Sequence, residues 1–177
     1  HPIGISATKS VWPRHTPLKE FTGNVSHSNN AHGLFVDGAE DQNRRTQVTW
    51  YDPLVDPANA DSAKVPPYFT NFTGYKNRGH GIWMRGFSYP VLQSPRLADN
   101  AMGAYFASVG EKSGYIQDGL VIGETSNKGN PEPWEVRGVD GRELPTPWKP
   151  KQSVRGLEFY DGPMVIRRTT FANFKSN

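Results

Sequence analysis

The 177-residue chain contains no cysteine, which excludes a disulfide framework and any thiolate metal site and leaves the redox compartment undecided. It also has no apolar stretch of the ~20 residues that a bilayer-spanning helix needs, so no membrane span is expected in this segment. A basic run is missing too. Arg44-Arg45, Arg78, Arg85, Arg96 and Arg167-Arg168 are dispersed and the net charge is only +3. That pattern suits a polyanionic sugar at least as well as a nucleic acid, and no nucleic-acid partner is expected. Walker, dinucleotide, HExxH and nucleophile-elbow motifs are all absent, and Gly79-His80-Gly81 is too short to mean phosphate binding.

What the chain does have is backbone punctuation. With 18 glycines and 15 prolines it does not suit a helical bundle, and 35% hydrophobic residues argue against disorder; many short strands joined by turns are the expected outcome. Residues 1–20 read as an irregular lead-in of a single 1–177 segment, and the missing start methionine and leader read as a piece of something longer. Two sequons, at Asn24 and Asn71, fit N-glycosylation of an extracellular or cell-surface protein.

The chain repeats itself. YKNRGHGIWMRG at 75–86 overlays HSNNAHGLFVDG at 27–38 without a gap, and LADNAMGAYF at 97–106 follows at an offset of 22. Anchor positions His27, Tyr75, Leu97, Val121 and Phe171 imply a unit of ~22–25 residues, the mark of a solenoid. On that unit the two long spacings each hide one further turn, the first at 46–51. Two Pro- and acid-rich stretches, 52–67 and 130–153, read as loop excursions. We therefore expect an all-β, right-handed parallel β-helix. A β-sandwich is the alternative, but it predicts no fixed offset between echoes.

Strand alternation places Leu34, Ile82, Ala104 and Val36, Met84, Phe106 inside, with Phe35, Trp83 and Tyr105 outside as an aromatic column on which sugar rings can stack. Histidine is the side chain suited to proton exchange near neutral pH, which singles out His80, and arginine, here Arg85 close by, binds carboxylates with a two-bond fork. Asp99, Glu124 and Asp161 supply carboxylates for proton transfer, with His80, Asp99 and Glu124 as the catalytic candidates. Such acids can also hold Ca²⁺, though no motif demands any cofactor or metal. Substrate-binding candidates are Trp83, Arg85, Tyr105 and Arg155. Asn29, Asn77 and Asp99 fall at equivalent positions, where the ordinary role is a ladder of side-chain amides at the bends.

Taken together, HSN at 27–29, YKNRGHGIWMRG at 75–86, RLADNAMGAYFAS at 96–108, GLVIGETSNKG at 119–129 and VRGLEFYDGPMVIRRTTFANF at 154–174 resemble the family of the cell-migration-inducing hyaluronan-binding protein and its cell-surface transmembrane paralogue. The resemblance implies a β-helix, an acidic polysaccharide partner such as hyaluronan, contacts with other domains of a parent chain, and a hyaluronidase-type glycosidase activity in that parent. The resemblance dissolves between Pro131 and Pro150, and Thr169-Thr170 stands where the family has cysteine. More distant fibrocystin-like relatives imply the alternative of a non-catalytic structural or adhesive module. A Ca²⁺-dependent polysaccharide lyase is a weaker third reading.

Overall fold

Three-residue β-runs separated by single bends can bury only one face each, so they are stable only when stacked on similar runs. The computed structural model, which describes residues 12–38, 42–45, 47, 50–110, 114–127 and 154–174, shows that stacking. Among the described residues, thirteen strands form three sheets in which every strand pairing is parallel. Sheet A holds β3 (Tyr68–Thr70), β6 (Val91–Gln93), β9 (Gly114–Gln117) and β12 (Met164–Arg167). Sheet B holds β1 (Val25–His27), β4 (Thr73–Tyr75), β7 (Arg96–Ala98), β10 (Leu120–Ile122) and β13 (Thr170–Ala172). Sheet C holds β2 (Leu34–Val36), β5 (His80–Phe87), β8 (Met102–Val109) and β11 (Arg155–Phe159). The chain visits A, B and C in rotation, so the fold is a parallel β-helix.

The corners explain the turn chemistry. A single residue in the left-handed region redirects the chain between sheets A and B at Asn71, Ser94, Asp118 and Arg168, and between B and C at Ser28, Lys76 and Asp99, with φ between 42° and 57°; Asn173, after the last described strand, shares that conformation at 57°. Left-handed backbone disfavours a Cβ, and Asn and Asp are the side chains that tolerate it best. In the first coil glycine fills the A–B corner, as Gly23 at φ 66°.

Inside the coil, like stacks on like. Phe69, Leu92 and Ile116 form one column of the core, Ile82 and Ala104 a second, Met84 and Phe106 a third, and Leu97 and Val121 a fourth; all are buried. Leu18 of the lead-in and Phe21 just after it pack against one end of the core, Phe21 meeting Phe69 edge-on at 5.1 Å. The excursion over 52–67 packs back on the body through buried Leu54, Pro53 and Pro67 and an ion pair of Lys64 with Asp52 at 2.9 Å. The stretch 130–153 lies outside the described residues.

Two expectations need correction. The 48- and 50-residue spacings hide no extra turn, because β1 pairs directly with β4 (His27 opposite Tyr75) and β10 directly with β13 (Val121 opposite Phe171). Each is one coil lengthened by a loop; spacing alone cannot tell an inserted loop from an inserted rung. The amide ladder is also off by one. It runs Asn29, Asn77, Asn100: Asn77 Oδ1 accepts from the backbone N–H and Nδ2 of Asn29, and Asn100 Oδ1 from those of Asn77, at 2.8–3.2 Å. Sheet B repeats at 23 residues here while sheet C repeats at 22, so Asp99 matches Lys76 at the corner and Asn100 continues the ladder.

Candidate functional site

Sheet C carries the residues singled out by sequence. Its outward row is Phe35, Trp83, Tyr105, in direct register across three coils, while Ile82, Met84, Ala104 and Phe106 are buried behind it. Stacked strands impose stacked rings. Trp83 and Tyr105 lie 4.2 Å apart at 19° and Phe35 lies 6.3 Å from Trp83 at 25°. The ring faces are thus turned toward one another along the axis, and the column presents ring edges outward. A saccharide therefore meets edges, hydroxyl and neighbouring charges along the column rather than a flat ring face.

On one flank of the column stand His32 and His80, whose Nδ1 atoms are 3.0 Å apart, so one ring donates and the other accepts. His80 is buried beneath the Trp83 and Tyr105 rings, which it meets edge-on at 4.9 and 5.7 Å. Burial pushes the pKa of His32 below 6.5, against the pull of the Asp37 carboxylate, and this keeps the ring neutral at physiological pH.

On the other flank lies a residue the sequence reading missed. Asp37, with its side chain only 4% exposed, accepts from Trp83 Nε1 at 2.9 Å through one oxygen and from Arg85 Nε at 2.7 Å through the other. The signal was available: the 48-residue echo that pairs Phe35 with Trp83 also sets Asp37 opposite Arg85. Nε is one of five guanidinium donors, so the pairing aims Arg85 while leaving it capacity for a second carboxylate.

Further along the sheet, burial first and then the charges of Glu158 and Asp161 raise the pKa of the Tyr105 phenol, which stays a proton donor at neutral pH. Exposed Arg155 opens β11 and is tied to Glu158 three residues on. It occupies the His32–His80 row, opposite Met102.

The carboxylates proposed beside His80 sit elsewhere. Asp99 is at the B–C corner, accepting from the Thr125 N–H at 2.6 Å and the Thr125 hydroxyl at 2.7 Å, and half-buried Glu124 follows β10 at the same corner of the next coil. The acids whose field reaches Tyr105 are Glu158 and Asp161. No group of three or more metal-binding side chains occurs among the described residues. The sequon residues Asn24 and Asn71 are both exposed, and no described helix is long and apolar enough to cross a membrane.

No family model matches the chain. It is 31% identical over 99% of its length to a Dictyostelium discoideum protein, 33% identical over 92% to the mouse cell migration-inducing and hyaluronan-binding protein, and 29% identical over 92% to a human cell surface hyaluronidase. The chain spans 18%, 13% and 13% of those relatives.

Proposed function

Because the chain is homologous over nearly its whole length to a segment of the family of cell migration-inducing hyaluronan-binding proteins and cell surface hyaluronidases, we propose that it is an extracellular or cell-surface β-helical segment that binds an acidic polysaccharide of the hyaluronan type along sheet C. The observation that carries this reading is the Asp37–Arg85–Trp83 cluster, a cation held in place by a buried carboxylate beside a ring column. A glycan carboxylate pairs with the remaining guanidinium edge of Arg85, the protonated Tyr105 hydroxyl donates to a sugar oxygen, and Arg155 supplies a second cation farther along the sheet. Trp83 contributes its edge and keeps Tyr105 upright.

For the parent protein we propose that any cleavage is hydrolytic and draws on His80 for proton transfer, with Asp99 and Glu124 across the B–C corner as the first acids to test. Glu158 and Asp161, on the Tyr105 side, form the competing pair. A purely structural role is the second reading, and it is favoured by the burial of His80 and by the mutual stacking of the rings.

Hyaluronan binding to the full chain decides between the two. Arg85→Ala is expected to weaken it at least tenfold, with Arg85→Lys intermediate because a point charge lacks the fork. Equal binding by wild type and Arg85→Ala, with the fold intact, refutes the sheet C site.

A further inference from the structure

Sheet B has an outward row of its own: His27, Tyr75, Ala98, Ile122, in register on successive coils. His27 stacks on Tyr75 at 4.7 Å and 14°, one rung on the next. At Ala98 the rung is missing, since a methyl group takes the place of a ring. Coils lie ~4.8 Å apart, so Tyr75 and Ile122 bound a slot roughly 9–10 Å across. A six-membered ring midway stands about 4.8 Å from each wall, which is stacking distance. The groove at this point has a volume of about 350 Å³, at the small end of the ~300–1,000 Å³ of ligand pockets.

Its surroundings select the ring. Exposed Arg96 lies at its foot, one row from Ala98. At its head Asn127 accepts from Lys76 Nζ at 3.3 Å, and Ser126 stands beside it. The one lining carboxylate, Asp99, is buried and occupied by the two donors of Thr125. The exposed charge is therefore cationic.

We propose that this missing rung is a second saccharide subsite, taking one uronate ring of an acidic glycan. The ring slots between Tyr75 and Ile122, its carboxylate pairs with Arg96, and its hydroxyls reach Asn127 and Ser126. The proposal rests on the acidic-glycan reading for its ligand class but uses a different sheet. Unlike the sheet C column, it offers a sugar the face of an aromatic ring, the side of Tyr75 turned away from His27.

The test uses a hyaluronan tetrasaccharide titrated into the full chain. Ala98→Tyr rebuilds the rung from an outward position, and Arg96→Ala removes the cation without filling the slot; circular dichroism and melting temperature check that both fold. In an Arg85→Ala background, residual tetrasaccharide binding is expected, and adding either Ala98→Tyr or Arg96→Ala should weaken it at least tenfold. If Arg85→Ala alone abolishes binding, the subsite is refuted and the sheet C site stands; if binding that survives Arg85→Ala is changed by neither added substitution, the subsite is refuted. If Ala98→Tyr abolishes binding in a chain that Arg85→Ala leaves unaffected, the subsite stands and the sheet C reading falls. If wild type binds no tetrasaccharide, both fall.

Discussion

At the scale of single residues, Asp37 organises the sheet C face. Its carboxylate is buried and serves both Trp83 and Arg85, so removing it strands a partly buried cation and an indole N–H. Asp37→Ala should cost about 1–3 kcal/mol in chemical denaturation, and should weaken glycan binding because Arg85 is no longer aimed. His32 adds a pH dependence. Its folded pKa is lowered, so the unfolded chain takes up the proton first; stability is full above pH 6.5 and declines as pH falls below it. Denaturation at pH 7.5 and 5.5 should show a larger loss for wild type than for His32→Gln, which keeps a hydrogen-bonding group toward His80. Equal losses would show that burial does not set this group's proton affinity.

At the scale of elements, the corners and ladders set register. Asn77 is 1% exposed and joins Asn29 to Asn100; replacing it by Ala leaves Asn100 Oδ1 with only the residue 77 backbone N–H and removes the acceptor of the Asn29 N–H and Nδ2, and a loss of about 1–3 kcal/mol is expected. Gly81 points at the same ladder, where an added Cβ would lie 2.7 Å from the Gly103 carbonyl oxygen and 2.8 Å from Asn100 Nδ2. At the A–B corners, the Arg168 fork and then Gln93 hold Asp118 at a pKa of about 2. That tie between the fourth and fifth coils is present above the ordinary carboxylate range and is lost as pH falls from about 4 to about 2. Arg168→Ala should flatten the melting-temperature profile over that window.

Strand parity and the aromatic column were legible in the 48-residue echo, because alternation within a strand and identity between strands both leave marks in one chain. What the echo did not carry was whether 48 residues meant one coil or two, since a loop inserted at a corner costs the stack little. The one-residue slip between sheets B and C was equally hidden: Asp99 and Asn100 are adjacent and chemically alike, and only hydrogen bonding distinguishes the ladder member from the corner residue. The ring orientation escaped for a different reason. Stacking along the axis follows from three-dimensional register, whereas the sequence reports only that aromatics face out.

At the scale of the molecule, the core is a set of columns whose depth along the axis decides their weight. Leu92 is fully buried between Phe69 and Ile116, so Leu92→Ala should cost about 2–5 kcal/mol. Phe171 continues the Val121 column but is 44% exposed on the last strand, and Phe171→Ala should cost less than half as much by denaturation. Equal penalties would mean that stability is not graded along the stack. The exterior is divided by the same geometry: sheet C offers ring edges with a fixed cation, sheet B a slot with a ring face, and the B–C corner holds Asp99 and Glu124 between them.

The sheet C site requires that an acidic glycan touch the sheet at Trp83. The chain has five tryptophans, few enough for each indole N–H to be resolved by ¹⁵N NMR. Titration with hyaluronan oligosaccharide is predicted to shift the Trp83 Nε1–H signal, which reports the Asp37–Arg85 cluster directly, while the Trp12 signal stays in place. If Trp83 does not move at oligosaccharide concentrations that saturate binding, the sheet C site is contradicted.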